Sequence, residues 1–413
     1  MPPTGYPHYG GTLSWTSGLT NLLAAEGVMT HVGKPLSEAM LLGIGGGLGS
    51  NYFVFEYKGL APMVSIWFYK VLFKVPTYVA AITGRLKLDA IPSETSSEKA
   101  AEAALIAAMD AGHPAYCLTD TAPLPYTLTP PEFSGGGYHA IVVTGRDPDG
   151  NWLVDDRAPI PWVVAPNDLS SARGRIRQSK NLLITLKTGG AIPQKQLASA
   201  VDAGIAECVS AMTAPVMSNF GLGGLRKWAE LVVNPKDKKG WPTMLGDGPL
   251  LYDALKNTYQ SIHYGGLTGG AGGHLRGMYA AFLNESAVLT NRPELAEVGQ
   301  LFGTIADEWE SLAEAVFPDR IAPFKRVKTN LKKRNASFAR GPKGVEERRK
   351  LKEELVGLEL GIRADFPLTS RECAELRATL NARLDAIGSL EGSAFESLGK
   401  LVSAKPATAK AKA

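Results

Sequence analysis

The stretch YHAIVVTGRDPDGNWLVDD, Tyr138 to Asp156, reads as a β-hairpin. Two β-rich runs flank GRDPDG, and Asp, Pro and Gly are the residues that reverse a chain. His139 opens the first run and the pair Asp155-Asp156 closes the second. In an antiparallel hairpin the first residue of one strand can lie close to the last of the next. That would put a carboxylate within reach of His139, as a general base requires. A structural histidine on a strand is the competing reading, and the acidic pair leaves both standing.

Working outward, HPAYCLTD (113–120) reads as a buried strand, NLLITLKT (181–188) as a last strand and NYFVFEY (51–57) as another. SSEKAAEAALIAAMDAG (96–112) is a helix that Ser96 or Ser97 can cap and Gly112 stops. PLSEAMLL (35–42) is a short helix with Ser37 near its start and Glu38 in its first turn, broken by GIGGGLGS. VSIWFYKVLF and TYVAAITGRL fit helix or strand equally. This mixture predicts an α+β domain over 1–189, with GGAIPQ from Gly189 as a linker. From Lys195 strands nearly vanish, and segments such as GLRKWAELVV and RECAELRATLNARLDAIGSLE predict an all-α domain over 195–395. Residues 396–413, ending in SAKPATAKAKA, read as a disordered low-complexity tail.

A length of 413 residues suits two or three domains, and 45% hydrophobic content suits a large core. No apolar run reaches the roughly 18 residues that span a bilayer, and MPPTGYPHYGG lacks the basic and apolar regions of a signal peptide. Cys117, Cys208 and Cys373 are far apart, which argues against a disulfide framework or a Cys-based zinc site and fits the cytoplasm. His263 and His274 flank a Gly-rich turn without an HExxH pattern, so no metal is expected. GIGGGLGS follows a helix and lacks GKS or GKT, so it reads as a tight backbone approach, with no nucleotide cofactor. The net charge of +4 is uneven: Lys325–Lys352 holds twelve Lys or Arg against two Glu. Such a run is either a solvated linker or helix face, or a dock for an acidic partner. No aromatic interleaving supports nucleic acid.

In GTLSWTSGLTNLLAAEG (11–27), Leu19, Leu22 and Leu23 have helical spacing, and Ser14 falls where the helix should begin. Ser14 is then a helix cap, or a nucleophile near backbone N–H groups and the positive end of the dipole. Spacing alone does not choose.

Four stretches in order, SWTSGLTNLL, PLSEAMLLGIGGGLG, PAYCLTDTAPLPY and HAIVVTGRDPDGNWLVDDR, resemble the family of the butirosin-biosynthesis protein H. Its N-terminal domain is similar to papain-like cysteine peptidases. GLGGLRKWAEL and GHLRGMYAAFLNESAVL resemble the helical domain often fused to it. The resemblance implies a papain-like domain followed by an all-α domain. It also implies transfer of an acyl group from an acyl carrier protein to a small-molecule amine or hydroxyl through an acyl-enzyme. The family's Cys nucleophile falls on Ser14, its His base on His139, and its Asp on Asp156, with Asp155 the alternative. Ser14 replaces the usual Cys, and Leu13 the His before it. Cys117, mid-strand in an apolar run, is no substitute. A hydroxyl is far less acidic than a thiol and must lose its proton during attack. Three cases follow: a natural serine acyltransferase, a Cys→Ser replacement, or a relative that binds without catalysing. A hydrolase of the same fold is the alternative reaction.

Glu38 and Asp120 lie in matching segments and are candidates to shape the pocket, or else a helix charge and a turn cap. Arg276 and Tyr279 would hold the domains together. Lys325, Arg326, Lys332, Lys333 and Arg334 would meet an acidic carrier protein.

Overall fold

The computed structural model describes residues 5–59, 61–68, 70, 74–135, 138–187, 189–264 and 272–403. The first half contains α1 (Ser14–Ala25), β1 (Met29–Thr30), α2 (Glu38–Ile44), β2 (Asn51–Phe55), β3 (Met63–Trp67), α3 (Val75–Arg85), β4 (Ala90–Ser93) and α4 (Glu98–Asp110). It continues with β5 (Ala115–Asp120), β6 (Tyr138–Arg146), β7 (Trp152–Asp155), β8 (Trp162–Val164), α5 (Pro166–Gly174), β9 (Leu183–Leu186) and β10 (Ala191–Ile192). Helices follow: α6 (Gln194–Thr213), α7 (Gly221–Val233), α8 (Trp241–Met244), α9 (Pro249–Tyr264), α10 (Arg276–Thr290), α11 (Glu294–Val316), α12 (Ala322–Phe338), α13 (Val345–Ala364) and α14 (Ser370–Ser403). The chain is thus mixed α+β, with a sheet-bearing N-terminal region and a helical C-terminal one.

The quoted hairpin forms as β6 and β7, inside a six-stranded antiparallel sheet of order β4-β9-β5-β6-β7-β8. Side chains alternate across it. Tyr116, Leu118, Ala140 and Val142 pack in the main core, which includes Leu19, Leu22 and Leu23 of α1. Cys117, Ile141 and Val143 pack in a second core with Leu105 of α4 and Leu169 of α5. α1 is buried almost throughout, and Gly18 lets it approach β6: a Cβ there would stand 2.9 Å from Val142 Cγ2. Ser37 caps α2 through Met40 N–H at 3.0 Å, and Ser97 caps α4. The two ambiguous segments resolve differently: residues 64–67 lie in β3, whereas 77–85 lie in α3, started by Pro76 in its first turn.

The main core runs through both halves as one cluster, from Tyr6 to Leu398. β1 pairs in parallel with β10, drawing the linker stretch back onto the first region. Gly43 and Gly204 permit the closest contact of α2 with the helical region. A Cβ on Gly43 would overlap the Phe282 ring of α10, and one on Gly204 would meet the Gly43 carbonyl oxygen. The glycines of GIGGGLGS serve the same contact, since Gly47 (φ +63°) abuts Tyr279 and Cys208. The tail expected over 396–413 is corrected at its start: α14 reaches Ser403, with Leu398 buried, because apolar positions continue in register. Residues 404–413 lie outside the described residues. The basic stretch forms most of α12 and the first part of α13.

Arg276 joins the regions as anticipated. Its guanidinium donates to Glu391 Oε1 at 2.7 Å and Oε2 at 3.0 Å, and to the Gly49 carbonyl at 3.2 Å. Trp309 Nε1 also donates to Glu391, at 2.9 Å, and the pair has no exposed side-chain surface. Removing one partner of a buried pair strands the other. Glu391→Ala should therefore cost about 3–5 kcal/mol in urea unfolding. Loss of the exposed Arg371–Glu375 pair on the same helix should leave the midpoint unmoved.

Candidate active site

Ser14 is the first helical residue of α1, and the extended Leu13 occupies the cap position without a capping side chain. The cap reading of Ser14 is therefore corrected: its Oγ is buried and has no hydrogen-bond partner. Glu38, the first residue of α2, takes over. Its Oε1 accepts from Thr12 N–H at 2.8 Å, and its Oε2 from Leu13 N–H at 3.2 Å and the Thr16 hydroxyl at 2.7 Å. A carboxylate is favoured at a helix N-terminus. Burial nevertheless raises the Glu38 pKa against these hydrogen bonds.

The acidic pair ends β7, and its two carboxyls point to opposite sheet faces. Asp155 pairs in register with Val142, on the α1 side. Its Oδ2 accepts from Tyr6 OH at 2.7 Å and Asn21 Nδ2 at 2.7 Å. Burial pushes its pKa up to about 7, despite those hydrogen bonds. Asp156 turns to the other core. Its Oδ2 meets His139 Nε2 at 2.7 Å and Tyr126 OH at 3.0 Å, and its Oδ1 meets Arg157 Nε at 2.9 Å. Burial would raise its pKa, but the charges of His139 and Arg157 prevail and hold it well below the usual carboxylate range. The structure thus separates the two candidates: Asp156 contacts His139, and Asp155 contacts α1.

His139 pairs with Thr119 across β5 and β6 and is fully buried. An ionised carboxylate only accepts, which assigns the imidazole proton to Nε2. Nδ1 is then the basic atom, and it has no hydrogen-bond partner. No hydrogen bond joins it to Ser14 Oγ, which is equally unpartnered. The segment before Ser14 does cross the end of β7, since Gly11 N–H donates to the Arg157 carbonyl at 3.0 Å. Arg157 holds a left-handed backbone (φ +58°), which costs a non-glycine residue roughly 1–2 kcal/mol. Gly10 (φ +74°) lies against that carbonyl, where a Cβ would stand 3.3 Å away.

Asp120 belongs to a turn. It accepts from Ala122 N–H at 3.1 Å, Gly135 N–H at 2.7 Å and the Ser134 hydroxyl at 3.1 Å, as a turn cap does. Cys117 is a buried core thiol whose pKa burial raises. His263 pairs with Glu310 at 3.1 Å, and His274 stacks on Trp309 at 4.5 Å. The Gly-rich stretch between them, 265–271, lies outside the described residues. Among the described residues, no cluster of three His, Cys, Asp or Glu could hold a metal ion.

Sequence reasoning gave no role to Tyr6, Asn21, Tyr126 or Arg157. Tyr126 lies in the quoted Leu-Pro-Tyr turn and Arg157 directly follows the acidic pair, so adjacency to a motif was the available signal.

Residues 16–157 match the family model described as Butirosin biosynthesis protein H, N-terminal, and residues 168–333 match a Domain of unknown function (DUF4872). The N-terminal region belongs to the butirosin biosynthesis protein H family. The first match contains His139, Asp155 and Asp156 and begins two residues after Ser14. No curated protein matches the chain significantly.

The raised pKa of Asp155 has a sign that can be checked. Between its unfolded pKa near 4 and its folded value of about 7, the unfolded chain ionises while the folded carboxyl stays protonated. Stability is then present below pH 4 and lost as pH rises through 7, by on the order of 4 kcal/mol. Urea titrations across that range should show this loss in the natural chain. It should be absent in Asp155→Asn, whose side-chain oxygen still accepts from Tyr6.

Proposed function

We propose that this protein is an acyltransferase of specialised metabolism whose N-terminal domain has the papain-like arrangement. The observation that carries the reading is the buried His139–Asp156 pair with an unpartnered Nδ1, in a chain of this family. Asp156 orients the imidazole, and Arg157 balances its charge. In the proposed reaction Ser14 Oγ forms a bond to the acyl carbon of a carrier-protein thioester as the C–S bond breaks. His139 takes the hydroxyl proton and returns it to the leaving thiol. An amine or hydroxyl acceptor then bonds to the acyl carbon as its bond to Ser14 Oγ breaks, and His139 passes the acceptor's proton to Ser14, giving an amide or ester. Water in place of that acceptor would make the protein a hydrolase.

A second reading, binding without catalysis, is favoured by one observation: Ser14 Oγ and His139 Nδ1 are not hydrogen-bonded to each other. Intact-protein mass after incubation with acyl thioesters separates the two. Acyl transfer requires an adduct on the natural chain and on Ser14→Cys, none on Ser14→Ala, and acylation slowed about 10²–10⁴-fold in His139→Ala. An equal adduct on Ser14→Ala, or none on any chain, would overturn it.

The acidic carrier would dock on α12. Lys325, Arg326, Lys332 and Lys333 are exposed there, whereas Arg334 is half-buried. Lys325 and Lys332 already pair with Asp319 and Glu314, at 3.7 and 2.9 Å, which weakens their share of that surface. Binding of a carrier protein should weaken with salt, and more with Arg326→Glu/Lys333→Glu than with Lys332→Glu. Insensitivity to salt and to these reversals would exclude this face.

A further inference from the structure

The turn that carries Tyr126 is gripped by a helix outside both matched regions. The second family match ends at residue 333, and α13 begins at Val345. From α13, Arg348 Nη2 donates to the Tyr126 carbonyl at 2.8 Å, and Lys352 Nζ to the Leu128 carbonyl at 3.1 Å. The two donors are one helical turn apart and share a face. Leu128 has a left-handed backbone (φ +56°), a conformation that needs holding in a non-glycine residue. Between these anchors the Tyr126 hydroxyl reaches Asp156 Oδ2, the same oxygen that meets His139 Nε2.

The surroundings favour a positioning role over simple packing. Arg348 is buried, with Nε and Nη1 unpartnered, over the rings of Trp162 (5.2 Å) and Phe338 (4.5 Å). The Tyr126 ring stacks on Trp162 at 4.4 Å, and Trp162 Nε1 donates to the Asp156 carbonyl at 3.0 Å. Burial and the nearby Arg157 lower the Arg348 pKa to about 10, while Asp156 and Tyr126 oppose that shift. A buried guanidinium with one hydrogen bond is costly, and an apolar side chain would fill the space more cheaply.

We propose that Arg348 is a positioning residue: with Lys352 it clasps the Tyr126 turn from α13 and thereby holds the Asp156 carboxylate against His139. Its effect on catalysis rests on the acyl-transfer reading; its effect on the His139 hydrogen bond does not.

The test uses the full chain with ¹⁵N-labelled histidine, reading the His139 Nε2–H resonance, assigned by its loss in His139→Gln. Exchange of that proton with water should accelerate about tenfold in Arg348→Met, the worth of one buried hydrogen bond. Tyr126→Phe should do the same, and Arg348→Lys should largely restore the natural rate. In a Tyr126→Phe background, Arg348→Met should add less than about twofold, as residues acting through one link do. Lys352→Met, at a more exposed position, should give a smaller acceleration and serves if Arg348→Met fails to fold. Natural exchange in folded Arg348→Met, or in Lys352→Met where that substitutes for it, overturns the proposal, as does full additivity with Tyr126→Phe. Accelerated exchange in a chain that forms no acyl adduct would sustain the clasp and overturn only the acyl-transfer reading. Natural exchange with adduct formation intact would do the reverse.

Discussion

The end of β7 is the point on which the rest of the site depends. Two adjacent carboxyls leave one strand on opposite faces and are both buried. Asp155 binds Tyr6 and α1, and Asp156 binds His139, Tyr126 and Arg157. Asp155 is the last residue of β7 and Asp156 the first beyond it, where the chain bends away. One dipeptide therefore links the helix that begins at Ser14 to the His139 imidazole.

The two carboxyls also face opposite electrostatic conditions. Asp156 has cationic neighbours and stays ionised, whereas Asp155 has only neutral donors, so burial raises its pKa. A carboxylate that orients a base must be charged, and a tie between Tyr6 and Asn21 need not be. The environments separate two carboxyls that residue type alone left alike.

Much of this was legible because it was local. The hairpin, the capping serines of α2 and α4 and the helices after Lys195 follow from turn residues, polar caps and apolar spacing. His139 and the acidic pair were visible as strand ends. What stayed hidden depends on distant contacts. Glu38 caps a helix that begins 24 positions before it, so no local window could show that Ser14 is relieved of capping. The grip of α13 on Tyr126 spans 222 positions. The continuous core was hidden too, because a linker in sequence says nothing about which faces meet across it. Lys328, Arg348 and Lys352 show why charge runs mislead: each is used internally, so composition overstated the free basic surface.

The charge balance bears on the serine. With a thiol nucleophile, proton transfer to Nδ1 would create a thiolate beside an imidazolium, and Asp156 would be its counter-ion. A hydroxyl forms no such ion pair in advance, and Asp156 then needs another charged partner. Arg157 provides one, with its Nε 2.9 Å from Oδ1. Asp156 and Arg157 thus pair beside His139, with the buried guanidinium of Arg348 a further cation nearby. Arg157 takes up its left-handed backbone against the Gly10–Gly11 segment leading to Ser14. The backbone that leads into Ser14 thus meets the residue whose guanidinium pairs with Asp156.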